Sequence, residues 1–224
     1  MIRAESEPKL KVLVLAASLR AESLNRMLAA RAARVAEQYG AVVDHASMAD
    51  FDVPAYDGDL EKAQAIPKGA EDLRGRLVDC DAFIVSSPEY NGSMPGAFKN
   101  LIDWTSRFRP QPFDGKHGLL LSASPSMMGG NRGLWALRVP FEHLGARIYP
   151  DMFSLAQAHQ AFDATGRIAD SVLRERFDRT IECFLELVEA AKHYRPLKKL
   201  WVEYLGEHPD AATDRVEHTE VDAA

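Results

Sequence analysis

Short, uninterrupted apolar runs separated by helix-period segments constrain this chain more than any other feature. Residues 11–15 read Lys-Val-Leu-Val-Leu, with no apolar–polar alternation. That is the pattern of a parallel strand covered on both faces. Leu24, Leu28, Ala32, Val35 and Tyr39 then fall on one face at helical spacing, and Gly40 stops the helix. Residues 41–45 read as a second strand, 82–86 as a third, 117–122 as a fourth and 146–153 as a short fifth. Between them, Pro54 and Gly58 mark a loop over 52–58, and Pro67 opens a helix running to about Asp79. Pro95 starts a helix with Phe98, Leu101 and Ile102 inward, a glycine-rich loop covers 124–133, and 134–144 is helical. The last long helix, 170–192, runs through Leu173, Phe177, Ile181, Phe184 and Val188. Five strands alternating with helices predict an α/β fold, a doubly wound five-stranded parallel sheet with helices on both faces.

The expected domain is 9–195, after an N-terminal extension of residues 1–8. A C-terminal extension, 196–224, allows a short helix over 197–205, followed by an acidic tail expected to be disordered. The net charge of −6 leaves no basic surplus for a nucleic-acid partner. No apolar run approaches the ~18 residues of a membrane helix. The N-terminus also lacks a signal-peptide stretch, so no membrane partner is expected. Cys80 and Cys183 have neither metal nor redox spacing and are expected as buried free thiols, which fits a cytoplasmic location. The histidines show no ligand spacing, so no metal site is expected. Trp104, Phe108 and Phe113 read as core packing, with a subunit interface as the alternative.

Two polar segments follow strand-like runs, where a ligand site on a parallel sheet belongs. The first, 18–25, offers Ser18, Arg20, Ser23 and Asn25 at a helix N-terminus. Unpaired N–H groups and an arginine fork suit a terminal phosphate. It has neither the glycine triad of a dinucleotide loop nor a P-loop lysine. Read alone, Ser23 is equally well a helix cap and Arg20 a solvated charge. The second segment, 87–96, carries Pro88, Glu89, Tyr90, Asn91 and Gly92. Its prolines and glycines fix a loop against which a flat heterocycle can lie. Here the bland alternative is a turn with Tyr90 packed inward.

With these residues in view, the chain resembles the NADPH-dependent FMN reductase family of flavodoxin-like proteins, which includes bacterial quinone, chromate and azo-dye reductases. The family's phosphate loop, Gly-Ser-x-Arg-x-x-Ser-x-Asn, is matched by residues 17–25 except at Ala17. Its ring loop, Pro-Glu-Tyr-Asn-Gly-Ser-x-Pro-Gly, is matched throughout 88–96, and its Lys-Asn-x-x-Asp-Trp by Lys99, Asn100, Asp103 and Trp104. The resemblance implies that Ser18, Arg20, Ser23 and Asn25 hold an FMN phosphate. Pro88, Glu89, Tyr90, Asn91 and Gly92 would border the isoalloxazine, and Ser124 its other polar edge. It implies NADPH or NADH as hydride donor, a small acceptor (quinone, azo compound, metal oxyanion or free flavin), a ping-pong cycle, and a homodimer or homotetramer. No side chain is nominated as a catalytic acid or base, because the cofactor carries the redox step. An electron carrier and a flavin-binding interaction module are the competing functions. No 2′-phosphate pocket is defined by the sequence, so the nicotinamide preference stays open.

Overall fold

The computed structural model describes residues 9–193. The elements are β1 (Lys11–Ala16), α1 (Leu24–Tyr39), β2 (Val42–Ser47), α2 (Gly58–Ala63), α3 (Lys68–Asp79), β3 (Ala82–Ser86), α4 (Gly96–Thr105), β4 (His117–Ala123), α5 (Asn131–His143), β5 (Arg147–Ile148), β6 (Phe153–Leu155) and α6 (Ser171–His193). All strand pairs are parallel, in the order β2-β1-β3-β4-β5, with β6 pairing the far end of β4.

The apolar run of β1 is continuous because both of its faces are covered. Val12, Val14 and Ala16 enter one core with α1 and α6, through Leu28, Ala32, Phe177, Ile181 and Phe184. Leu13 and Leu15 enter the other core, with Leu73 and Leu77 of α3, Phe98 and Leu101 of α4, and Leu137 and Phe141 of α5. The helix α1 is punctuated at both ends. Ser23 Oγ accepts the Asn25 N–H, and Gly40 takes a left-handed conformation (φ 109°) that lets its N–H return to Ala36 and Glu37. Across the same core, Arg31 of α1 pairs with Asp178 of α6 at 2.5 Å.

Several sequence expectations need correction. The sheet has six strands, because 146–153 is two short pieces. Tyr149 N–H bonds to Gly118 before the chain leaves β4, and the chain rejoins it at Phe153. The strand β2 runs two residues past His45, in register with β1 as far as Ser47. A short helix, α2, follows the 52–57 loop, capped by the Asp57 side chain on the Asp59 N–H. The helix α5 begins at Asn131, inside the expected loop. Cys80 is buried as expected, but Cys183 is only half-buried. Trp104 and Phe113 are core residues, while Phe108 is half-buried beneath the Arg74 guanidinium. The compact unit ends at Glu189, and residues 190–193 carry α6 to its end. The C-terminal extension lies outside the described residues.

Candidate functional site

The strand order places the loops after β1, β3 and β4 side by side. Ala16 pairs with Ser86, and Ser86 with Leu121. One residue further on, Ala17 N–H bonds to Ser86 O and Ser87 N–H to Leu121 O, each at 2.9 Å. The sheet order reverses direction between β1 and β3, and a crevice outside the carboxyl ends at that switch is where such sheets take ligands.

The first loop has the form of an anion cradle. Among the described residues, the N–H groups of Leu19, Ala21, Glu22 and Leu24 meet no protein acceptor. Ser18 is buried and accepts the Arg20 N–H at 3.4 Å, while the Arg20 side chain stands exposed. Ser23 caps α1. This donor set fits a phosphate group: free N–H groups at a helix start, hydroxyls, and one guanidinium. Asn25, which the resemblance implies as a phosphate ligand, also meets protein groups. Its Oδ1 accepts Ser86 Oγ–H at 3.0 Å and the Ala123 N–H at 2.9 Å, and its Nδ2 donates to Ala123 O at 2.9 Å. A side chain in the first turn of α1 therefore ties together the ends of β3 and β4, fixing the spacing of all three loops.

The second loop turns on Asn91 and Gly92. Tyr90 and Ser93 exchange backbone hydrogen bonds at 2.9 and 3.0 Å around two residues of positive φ, 53° and 76°. That is a tight hairpin turn of the kind asparagine–glycine pairs favour. It leaves Tyr90 47% exposed at the tip, next to half-buried Pro88. The Glu89 side chain turns inward and is only 9% exposed. Its Oε2 accepts the N–H groups of Arg132 (3.0 Å) and Gly133 (3.2 Å), and its Oε1 accepts Arg132 Nε at 2.8 Å. Glu89 thus caps the N-terminus of α5 from a different loop, where a carboxylate meets unpaired N–H groups and the positive end of the helix dipole. Its two oxygens are taken up by the α5 backbone and the Arg132 guanidinium.

The third loop, 124–130, is fastened from beneath. Ser124 N–H bonds to Leu155 O, Ala158 N–H to Ser124 O, and Gln157 N–H to Ser126 O. Ser124 Oγ accepts the Ser126 N–H at 3.2 Å. Gly130 (φ 85°) lies so close to Ser122 that a Cβ there would meet its Oγ at 2.0 Å. Two anchors escaped the sequence reading. Pro54 O accepts both Asn100 Nδ2 and Trp104 Nε1 at 2.8 Å, so the Asn100 and Trp104 motif pair pins the loop before α2. Arg132, which completes the Glu89 pair, carries no periodic or motif signal.

The profile of the NADPH-dependent FMN reductase family matches residues 10–160. The chain belongs to this family. It is 31% identical over 186 residues to a quinone reductase of Escherichia coli, covering 82% of this chain and 98% of that protein. With the NAD(P)H-dependent FMN reductase of Pseudomonas aeruginosa the identity is 34% over 177 residues, covering 77% and 92%. Among solved structures, the flavoenzyme NAD(P)H:(acceptor) oxidoreductase FerB of Paracoccus denitrificans superposes with a TM-score of 0.70 at 29% identity, over 81% of this chain and 98% of that one. An archaeal flavodoxin shares the fold at a TM-score of 0.53. The family member described here is therefore an oxidoreductase that works with FMN and NAD(P)H, on a flavodoxin-like parallel sheet. Among the described residues no helix is long and apolar enough to cross a membrane, and no cluster of side chains suits a metal ion.

Proposed function

We propose that the chain is an FMN-dependent NAD(P)H oxidoreductase that passes a hydride from a reduced nicotinamide to a small acceptor by a ping-pong cycle. The observation that carries this reading is the cradle after β1. Its free N–H groups, Ser18, Ser23 and the exposed Arg20 meet at the sheet's switch point, beside the Tyr90 hairpin and the 124–130 loop. Bound FMN supplies the hydride chemistry. Ser18, Arg20 and Ser23 hold its phosphate, and Asn25 positions them. Pro88, Tyr90, Asn91 and Gly92 border the ring, Ser124 lines its other polar edge, and Glu89 fixes the loop between them. No side chain is assigned as a proton donor or acceptor.

Nicotinamide and acceptor use the same open face in turn. Tyr90, Met127 and Met128 stand exposed on the two ring-side loops, which favours flat organic acceptors such as quinones, azo compounds or free flavin over metal oxyanions. The loop 124–130 has no aromatic residue to shield a ring, which argues against a pure electron carrier. A homodimer or homotetramer in the reducing cytoplasm suits this chemistry. Titration of the purified protein with FMN and riboflavin tests the assignment. FMN should bind about a hundredfold more tightly, because charge-assisted hydrogen bonds contribute about 1.5–3 kcal/mol each. Arg20→Ala should narrow that gap, and equal affinities in the unaltered protein overturn the cradle.

A further inference from the structure

A groove of about 360 Å³ opens between α1 and β2, at the same carboxyl edge as the flavin loops. Ala16, Ala30 and Ala46 line it with small side chains, and Arg26, His45, Ser47 and Asp50 supply its polar groups. Its volume is that of a small-molecule site and exceeds what a single ion needs. Arg26 lies in the first turn of α1, next to Asn25. Among the described residues its guanidinium makes no hydrogen bond or ion pair, and it is exposed. The carboxylates of Asp44 and of Asp50, which itself lines the groove, already have partners. Asp50 Oδ2 accepts the Ser47 N–H at 2.9 Å and stands 4.0 Å from Arg76, which also pairs with Asp44 at 2.5 Å. His45 is exposed at the groove's mouth. Crowding by neighbouring atoms lowers its pKa, Glu37 opposes that shift, and Arg26 adds to it. A neutral imidazole keeps one N–H to donate.

We propose that this groove is a phosphomonoester subsite in which Arg26 supplies the charge, Ser47 and His45 supply neutral donors, and the 2′-phosphate of NADPH is the ligand. An unpaired guanidinium fork is the group that best matches a phosphate. The groove holds more than phosphate alone, so an adenosine carrying the phosphate fits its size. In the sheet order β2-β1-β3, a dinucleotide with its nicotinamide at the Tyr90 hairpin would reach this groove by crossing the carboxyl end of β1. The NADPH assignment rests on the flavin reading, whereas the phosphomonoester chemistry stands on the groove alone.

The test uses the full chain loaded with FMN, titrated calorimetrically with 2′,5′-ADP, 5′-AMP and inorganic phosphate. The expected result is at least tenfold tighter binding of 2′,5′-ADP than of the other two, the margin of about one charge-assisted hydrogen bond. Arg26→Gln should erase that margin and lower kcat/KM for NADPH about tenfold, leaving NADH turnover and FMN content unchanged. Arg26→Lys should restore part of it. Equal binding of 2′,5′-ADP and 5′-AMP, or equal losses for NADPH and NADH in Arg26→Gln, overturns the proposal. Inorganic phosphate binding as tightly as 2′,5′-ADP through Arg26 overturns the NADPH assignment and gives the groove to free phosphate. A chain that takes up no FMN yet prefers 2′,5′-ADP supports the groove and contradicts the flavin reading. A chain that binds FMN without that preference does the reverse.

Discussion

Asn25 and Arg20 stand five positions apart in one motif, yet they answer to different physics. The Asn25 amide satisfies the buried Ser86 hydroxyl and both backbone groups of Ala123. Asn25→Ala strands those groups, and each unsatisfied buried group costs about 1–3 kcal/mol. A loss of roughly 3 kcal/mol or more in urea unfolding is therefore expected without any flavin present. Arg20 makes no side-chain bond in the described structure, so Arg20→Ala should leave flavin-free stability within about 0.5 kcal/mol. If Arg20→Ala unfolds the protein as readily as Asn25→Ala, the division between clasp and ligand is wrong. The cysteines differ in the same local way. Burial pushes the Cys80 thiol up to about 11, with Lys116 opposing, while Cys183 is only half-buried. Because the thiolate is the reactive form, native protein at pH 8 should label at Cys183 and spare Cys80. Rapid labelling of Cys80 would contradict its burial. Neither thiol lies within the three flavin-loop segments, so turnover should survive Cys80→Ser and Cys183→Ser in folded, flavin-loaded protein.

At the scale of elements, the three loops act as a unit because each is bonded to another. Glu89 carries the bond between the second loop and α5, and Glu89→Gln keeps the shape while removing the charge. A carboxylate at a helix N-terminus is worth about 0.3–2 kcal/mol, and the Arg132 pair is lost with it. A drop of about 1–2 kcal/mol in stability and weaker FMN binding are expected, with the pH profile of turnover unchanged, since the proposed role of Glu89 is to fix the loop and carries no proton transfer. A shifted pH profile in Glu89→Gln contradicts that role. Gly130→Ala should be worse, since its Cβ would collide with Ser122 Oγ in a backbone conformation that disfavours alanine. These elements also mark what the sequence made legible. Continuous apolar runs identified β1, β3 and β4, and helical spacing identified α1 and α6, because burial on a known face writes a period. The split of β5 and β6 was not legible, since Arg147–Ile148 and Phe153–Leu155 are too short to carry a period. The clasp roles of Asn25 and Asn100 were hidden because their partners, Ala123 and Pro54, lie far away in sequence, whereas a backbone-orienting role for Glu89 was open from the sequence and only its partner Arg132 was not.

For the whole molecule, the proposed FMN-binding domain is 9–195, with 196–224 an extension outside the described residues. Beyond Gly206, six acidic residues (Glu207, Asp210, Asp214, Glu217, Glu220 and Asp222) face only Arg215, a poor basis for a core. Ending the chain after Gly206 should leave FMN affinity, NADPH oxidation and assembly size unchanged. Loss of FMN binding in that folded truncation would place the tail at the site. The central claim is that these three loops hold FMN as a hydride-transfer centre needing no partner reductase. Anaerobic mixing of FMN-loaded protein with NADPH alone, followed by visible flavin absorbance, tests it most directly. The account predicts that the absorbance bleaches without any acceptor, and returns when a quinone is added after the nicotinamide has been consumed. An absorbance that persists under excess NADPH and NADH, in protein with a full complement of FMN, contradicts it and leaves an electron carrier in its place.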